Sequence, residues 1–246
     1  MARVHARWAR PAVLALVLAL CAPLTRADII VITNDYTLAD VMAMPGGFRV
    51  YDKVFTEWDL TDTSKNGGNA PDPSSINVVG IWVDYNNNNI QDAPDEWGLR
   101  FTGGWSAFGS QIVETAIDFK VTPDAPSQIT DNTLWMKNGA GGNGGQASIT
   151  ERVFDTNMPA NPIATKYVWH NELNSQALAH VDYGSPYDYL YVSLNVIANG
   201  GVSQTPLGSA SVGVFDVTFS QIPEPGVIGL MLLGSAGLLI RRRRRC

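Results

Sequence analysis

The chain has 246 residues, and its formal net charge is −6. The excess of acid is larger within residues 28–220, where eight lysines and arginines face twenty-two aspartates and glutamates, a net charge of −14. Such a segment repels nucleic acid and anionic membrane surfaces, so its composition excludes nucleic-acid binding. Both cysteines, Cys21 and Cys246, lie outside it, so it contains neither a disulfide nor a cysteine nucleophile.

The first 27 residues have the pattern of a secretory signal peptide. Three arginines precede the apolar run 12–22, and the small residues around Thr25 and Ala27 suit a cleavage site. The apolar run is too short to span a bilayer comfortably. We therefore expect residues 1–27 to be removed and the mature chain to begin near Asp28.

Residues 28–220 have the alternating pattern of β-strands. In 111–121, Val113, Ile117 and Phe119 fall on one face and charged side chains on the other, as a half-buried strand requires. The alternation recurs at 188–198 and 211–220, and further strands are predicted at 29–33, 48–55, 76–84, 98–102, 128–136 and 146–154. Turn-rich stretches separate them. The pattern predicts one all-β domain, an antiparallel β-sandwich of jelly-roll type, without a long amphipathic helix, although 171–181 could form a short one.

The sharpest candidate site is the loop WVDYNNNNIQDAPDEW at 82–97. Oxygen-bearing groups occupy loop positions one, three, five, seven, nine and twelve: Asp84, Asn86, Asn88, the carbonyl of Ile90, Asp92 and Asp95. This spacing can close around a hard cation such as Ca²⁺, although Asp95 is shorter than the glutamate expected last and Glu96 follows it. The alternative is an exposed Asn-rich hairpin loop, since asparagine and aspartate are common turn residues.

Two other patterns give little support for catalysis. Residues 139–144 fit the G-x-G-x-x-G spacing of dinucleotide-binding proteins, but a predicted strand follows them instead of the helix that would hold a pyrophosphate. His170 and His180 each lie near a carboxylate, Glu172 and Asp182, yet no third ligand or nucleophile stands at a recognised spacing. We therefore expect no enzyme activity, although carboxylates far apart in sequence could still form a glycoside-hydrolase pair.

The last 26 residues have three parts: Pro223-Glu224-Pro225, the uncharged run 226–240 and the arginine cluster 241–245. Fifteen helical residues reach about 22 Å, against a hydrocarbon core of about 30 Å, so the run predicts a thin transmembrane helix. The arginines can snorkel and hold the C-terminal end on the cytoplasmic side, which places the body outside. An ordinary stop-transfer anchor is the alternative, although such anchors are usually longer.

These three parts, in this order and spacing, resemble the PEP-CTERM sorting signal. The resemblance implies that an exosortase, an integral membrane cysteine transpeptidase, recognises 221–246, cuts near the motif and sends the body to the surface or the extracellular matrix. It assigns recognition to Pro223, Glu224 and Pro225, and to the cluster Arg241, Arg242, Arg243, Arg244 and Arg245. Diffuse patterns such as YDKVFTEW at 51–58 and GLRFTGGWSAFGSQ at 98–111 are also similar to an all-β ectodomain common among such proteins.

The chain is thus expected to comprise a signal peptide (1–27), an ectodomain (28–220) and a sorting signal (221–246). We expect an exported protein, transiently anchored in the inner membrane, with a structural or adhesive role in exopolysaccharide or biofilm. Its expected partners are the exosortase, the membrane and exopolysaccharide, and Ca²⁺ is the candidate cofactor. Two alternatives stay open: a carbohydrate-binding module with coplanar exposed tryptophans, and a polysaccharide-active enzyme with paired carboxylates of unequal pKa.

Overall fold

A computed structural model describes residues 28–31, 34–84, 96–156, 161–202 and 206–223. In these ranges the chain forms fourteen strands, every pairing of which is antiparallel. They are β1 (Asp28–Val31), β2 (Tyr36–Thr37), β3 (Phe48–Val50), β4 (Lys53–Asp62), β5 (Asn77–Asp84), β6 (Glu96–Phe108), β7 (Ile112–Pro123), β8 (Ser127–Gly142), β9 (Gln146–Phe154), β10 (Ala164–Asn171), β11 (Ser175–Gln176), β12 (Leu178–Tyr187), β13 (Leu190–Asn199) and β14 (Ser209–Pro223).

The strands form two sheets. The first has the order β1-β5-β6-β14-β8-β12, with β2 also paired to β5, and the second has the order β11-β10-β9-β13-β7-β4-β3. The late strand β14 lies between β6 and β8, and β13 lies between β7 and β9, so the chain repeatedly crosses from one sheet to the other. Such interleaving is typical of Greek-key connections. The prediction of an all-β antiparallel sandwich is confirmed.

The core lies between the two sheets and follows the predicted alternation. Every second residue of β7 from Val113 to Val121 is buried, and the same holds in β13 from Leu190 to Ala198. Aromatic rings fill the centre: Phe101 and Phe215 stack with centroids 4.9 Å apart, and Trp105 packs beside Phe215 at 5.7 Å. The side chain of Trp105 is fully buried, and its indole Nε1 donates to Thr115 Oγ1 over 3.0 Å.

Several elements differ from the sequence prediction: the strand predicted at 48–55 is divided between β3 and β4, and β2, β10, β11 and β12 were not predicted. The short helix expected at 171–181 is wrong, because these residues end β10, form β11 and begin β12. Residues 178–182 pair with 131–135 of β8, and Ala179 and Val181 pack on the core, so tertiary pairing outweighs local helical preference. The strand β10 was not predicted, since Lys166 occupies an inward position where an apolar residue is expected.

The structure also contains a short helix near the start of the described chain and a tight turn between β8 and β9. A five-residue helix, α1 (Leu38–Met42), begins at a capping box in which Thr37 and Asp40 satisfy each other's backbone N–H groups. The G-x-G-x-x-G stretch forms the end of β8 and a tight turn, where Asn143 and Gly144 have φ angles of 51° and 82°. A strand follows it, as predicted, so it does not form a dinucleotide site.

None of the helices in the described ranges has the length and hydropathy needed to cross a membrane. The predicted transmembrane helix at 226–240 and the predicted signal peptide at 1–27 lie outside those ranges.

Replacing Thr115 by valine should destabilise the sandwich by about 1–3 kcal/mol, because the buried indole N–H of Trp105 loses its acceptor while the side-chain volume hardly changes. The measurement is the free energy of unfolding from urea titration. Thr165→Val is the matched control, since Thr165 is exposed on β10, and it should change that free energy by less than about 0.5 kcal/mol. Equal effects of the two substitutions would contradict the assigned hydrogen bond.

Candidate functional site

Polar side chains collect on the outer face of the first sheet, the face that points away from the second sheet. Strand register aligns them in rows across β14, β8 and β12: Thr218 pairs with Thr133 and Thr133 with His180, and one step along the strands Ser220 pairs with Asp131 and Asp131 with Asp182. Glu96 begins β6 on the same face, one residue before Trp97, which pairs with Phe219. Alternate residues of neighbouring strands share one face, so the side chains of these rows lie next to one another.

Within these rows Glu96, Asp131 and His180 converge, and we call them the carboxylate site. One ligand atom from each lies within 4.8 Å of the other two. The Thr133 hydroxyl lies between two of them, donating to Glu96 Oε1 over 3.0 Å and lying 2.8 Å from His180 Nδ1. The second Glu96 oxygen accepts from the Thr218 hydroxyl. The site therefore holds Glu96 in a fixed position.

Asp131 has one satisfied and one unsatisfied oxygen. Its Oδ2 accepts hydrogen bonds from the hydroxyls of Ser220 and Thr130, the latter over 3.1 Å. Its Oδ1 is buried and makes no hydrogen bond within the described part of the chain. A buried carboxylate oxygen without a hydrogen bond is unusual, and a hydrogen-bond donor or a cation would stabilise it.

The electrostatics of the site follow from burial. Desolvation raises the pKa of Glu96 above its ordinary value, and the hydrogen bonds from Thr218 and Thr133 oppose this while the charge of Asp131 adds to it. A nearby positive charge would favour the ionised carboxylate. Burial beside the charge of Asp131 thus disfavours the ionised form of Glu96 unless a cation is present.

His180 is placed to act as a ligand. Its Nδ1 lies 3.9 Å from Glu96 Oε1, and its other ring nitrogen, Nε2, lies 3.4 Å from Asp182 Oδ1. A carboxylate on the far ring nitrogen orients the imidazole of most metal-binding histidines. Metal bonds of about 2.1 Å bring ligand atoms within roughly 3 to 4 Å of one another, so a small side-chain movement would let the three groups enclose a divalent cation.

A mixed aromatic and charged row borders the site. Asp216 pairs across the strands with Trp135, and Trp135 pairs with Leu178, which is 47% exposed. Arg100 binds Asp216 through two hydrogen bonds of 2.8 and 2.9 Å, and Lys137 lies over the ring of Trp135. Carboxylates, a guanidinium and a half-buried indole therefore share one side of the sheet.

The coplanar tryptophan surface that the carbohydrate-binding alternative requires is not formed by Trp58, Trp97, Trp105, Trp135 and Trp169. Trp97 and Trp105 are buried, and Trp58 packs against the core. Trp135 and Trp169 are half-buried and lie on the outer faces of different sheets, since Trp169 alternates with the buried Val168 in β10. Among these five tryptophans, Trp135 is the one on the same face as the carboxylate site.

The predicted calcium ligands fall almost entirely outside the described residues. Asp84 is described and lies buried at the end of β5, on the inward-facing side and thus on the other face from Glu96. Asn86, Asn88, Ile90, Asp92 and Asp95 lie in 85–95, beyond the described ranges, and Ca²⁺ binding by this loop stays a prediction. The sorting-signal residues from Glu224 onward are likewise outside, whereas Pro223 ends β14 and pairs with Ser127.

Sequence reasoning missed the carboxylate site. The sequence places His180 near Asp182 and Glu96 directly after Asp95, but no pattern in it involves Asp131. The members are separated by 35 and 49 positions, so no short motif relates them. The pairing of β8 with both β14 and β12 brings Asp131 and His180 to the same face as Glu96, and this pairing is visible only in the structure.

Residues 221–245 match the PEP-CTERM protein-sorting motif. No curated protein matches the sequence. Among solved structures, TmCBM61 in complex with β-1,4-galactotriose is similar over 67% of this chain and 89% of its own, with 10% identity and a TM-score of 0.30. The enzymatically active domain of tailspike protein 4 of bacteriophage CBA120 matches 67% of this chain and 19% of its own, with 11% identity and a TM-score of 0.25.

A further structure, described as a promiscuous carbohydrate-binding module of the β-sandwich superfamily, covers 66% of this chain and 56% of its own, with 9% identity and a TM-score of 0.24. The sorting motif is the exosortase recognition signal, and it implies an exported protein that is anchored in the membrane during processing.

Proposed function

We propose that the body is an adhesive or structural component of the extracellular matrix that holds polysaccharide on the outer face of its first sheet without cleaving it. The observation that carries the proposal is the carboxylate site beside Trp135, on a chain whose C-terminal segment matches the PEP-CTERM motif. An exported matrix protein needs a surface that engages the matrix, and this face offers one.

The chemistry of the face suits sugars. Carboxylates accept hydrogen bonds from sugar hydroxyls, the guanidinium of Arg100 donates them, and an indole face provides flat apolar contact for the C–H face of a sugar ring. Asp216 already orients Arg100 through its two hydrogen bonds. Such pre-ordered polar groups around one aromatic ring are what a small-molecule or oligosaccharide site requires.

We further propose that the carboxylate site binds a divalent cation. The orphan Oδ1 of Asp131 and the raised pKa of Glu96 both reflect buried carboxylate groups that a cation would stabilise. One imidazole and two carboxylates favour Zn²⁺ or Mn²⁺ over Ca²⁺, which prefers ligand sets made of oxygen alone. Calcium in the 84–95 loop is a separate proposal, based on the spacing of its oxygen groups.

A polysaccharide hydrolase is the second candidate function. Glu96 and Asp131 lie within the roughly 5 Å range of carboxyl groups in retaining glycosidases, and Glu96 has the raised pKa of a general acid. Against this, both oxygens of Glu96 are bound by threonine hydroxyls, and its side chain is almost fully buried. We therefore favour binding without catalysis.

The sorting proposal is tested on the C-terminal peptide. Mass spectrometry of membrane and extracellular fractions from the native host should find residues 226–246 in the membrane form and missing from the extracellular form. Glu224→Ala should abolish the shortened form, because the recognition residue is lost. Intact tails in every fraction of the wild type would overturn exosortase processing in favour of a simple anchor.

The polysaccharide proposal is tested by isothermal titration of the wild-type protein with exopolysaccharide purified from the same host. Trp135→Ala should weaken binding about 3- to 10-fold, the factor that corresponds to losing one aromatic contact. Trp169→Ala is the matched control, a half-buried tryptophan on the other sheet, and should leave affinity unchanged. Absence of binding by the wild type would refute the proposal, and release of reducing ends would replace it with the hydrolase.

The cation proposal is tested by thermal unfolding with Zn²⁺, Mn²⁺, Ca²⁺ or a chelator. At about 100 times its dissociation constant a bound ion adds roughly 2.7 kcal/mol of stability, so the midpoint should rise with Zn²⁺ or Mn²⁺. His180→Ala should remove this rise, whereas His170→Ala should keep it. A rise with Ca²⁺ alone that survives His180→Ala would reject the carboxylate site and place the ion at the 84–95 loop.

A further inference from the structure

A second polar cluster lies inside the sandwich, between the sheets. Asn132 points inward from β8 of the first sheet, while Glu151 of β9 and Lys166 of β10 are register partners in the second sheet. The side chains of Lys166 and Glu151 are 1% and 0% exposed, and Asn132 is fully buried. A lysine in such a position is rare, because desolvating a charged amine is costly unless it is neutralised or consumed.

The Lys166–Glu151 ion pair is joined to a carboxamide and a tyrosine hydroxyl by further contacts. Lys166 Nζ directly contacts Oδ1 of the Asn132 carboxamide. Glu151 bridges the two groups: its Oε2 lies 2.9 Å from Lys166 Nζ, and its Oε1 accepts from Asn132 Nδ2 over 2.6 Å. The hydroxyl of Tyr183, on β12, donates to Asn132 Oδ1 over 2.5 Å.

We propose that Lys166 and Asn132 form an intramolecular isopeptide bond that joins the two sheets, with Glu151 as the proton carrier. The unprotonated Nζ of Lys166 attacks Cγ of Asn132, a new C–N bond forms, and the C–N bond to Nδ2 breaks. Glu151 takes a proton from Nζ and delivers one to Nδ2, which leaves as ammonia. An amine and a carboxamide become a secondary amide and ammonia, so the step balances without oxidant, cofactor or energy source.

Each residue has a defined role in this step. Glu151 lies 2.9 Å from the attacking nitrogen, as an ion pair, and accepts from the departing nitrogen over 2.6 Å, so one carboxyl group is close enough to carry a proton between them. The Tyr183 hydroxyl lies where negative charge develops on Oδ1 and acts as an oxyanion donor. The packing of one sheet on the other holds the Lys166 amine against the Asn132 carboxamide, so the reaction is intramolecular and proceeds without the entropic cost of bringing the two groups together.

The surroundings favour the reactive protonation states. Burial lowers the pKa of the Lys166 amine, although the nearby Glu151 charge opposes the shift, and this increases the fraction of nucleophilic amine. Burial raises the pKa of the Tyr183 hydroxyl well above its ordinary value, so it keeps its proton and remains a donor. The apolar core also excludes the water that would compete with the amine for Asn132.

The other buried lysine provides an internal comparison. Lys53 Nζ lies 3.0 Å from Asp52 Oδ1 and donates to the Gln221 carboxamide oxygen over 3.2 Å. Asp52 is 17% exposed, and in the described residues no tyrosine hydroxyl reaches the carboxamide oxygen of Gln221. Both sites thus have a buried lysine near a carboxamide. The site of Lys166 differs in having a tyrosine hydroxyl on the carboxamide oxygen and a fully buried carboxylate.

The test is peptide mapping of the full chain recovered from its host. Trypsin cannot cut after an acylated lysine, so the wild type should yield peptide 121–137 joined to the peptide that begins at residue 153, with a mass one ammonia lower than the sum. Glu151→Gln and Lys166→Arg should each abolish this branched peptide. Lys53→Met should keep it, and Tyr183→Phe should reduce its yield.

Circular dichroism of each variant establishes that the sandwich is folded, so loss of the branched peptide reports on the reaction and not on unfolding. Recovery of the linear peptides 121–137 and 153–166 from folded wild-type protein, in place of the branched one, would overturn the proposal. A branched peptide that persists in folded Glu151→Gln would retain the bond but remove Glu151 from its formation.

Discussion

The register of β8 between β14 and β12 is the constraint on which both polar clusters depend. Side chains alternate along a strand, so Asp131 faces outward into the carboxylate site and Asn132 faces inward onto Lys166 and Glu151. A slip of one residue would exchange the two faces, placing Asp131 in the core and Asn132 outside. Fourteen-residue pairing with β14 and the apolar residues Leu134 and Met136 farther along β8 hold the register in place.

The two clusters resolve the cost of buried charge in different ways. On the outer face, threonine and serine hydroxyls satisfy three carboxylate oxygens and leave one, on Asp131, open to a cation. In the interior, Lys166 and Glu151 form an ion pair that contacts the carboxamide of Asn132. An ion pair there is expensive because two charges leave water. Condensation that starts from this ion pair would yield a neutral amide and ammonia and leave the proton on Glu151, so both buried charges would be removed.

Export bears on how residues 28–220 are stabilised. The sorting motif implies a protein that works outside the cytoplasm, and residues 28–220 contain no cysteine with which to form a disulfide. Stability there rests on the packed core of Trp105, Phe101 and Phe215 and on backbone pairing in two sheets. The proposed cation and the proposed amide would each add a constraint to an exported protein, one on the outer face and one across the core.

The amino-acid sequence by itself determined the sorting motif, the all-β class and most strands, because short motifs and period-two alternation depend on residues near one another in the chain. The turn at Asn143 and Gly144 was predictable for the same reason. Tertiary structure alone decided the rest: that 171–181 is extended, that Lys166 points into the core, and that Glu96 meets Asp131 and His180. These outcomes depend on which distant strands pair, and local sequence carries no record of that pairing.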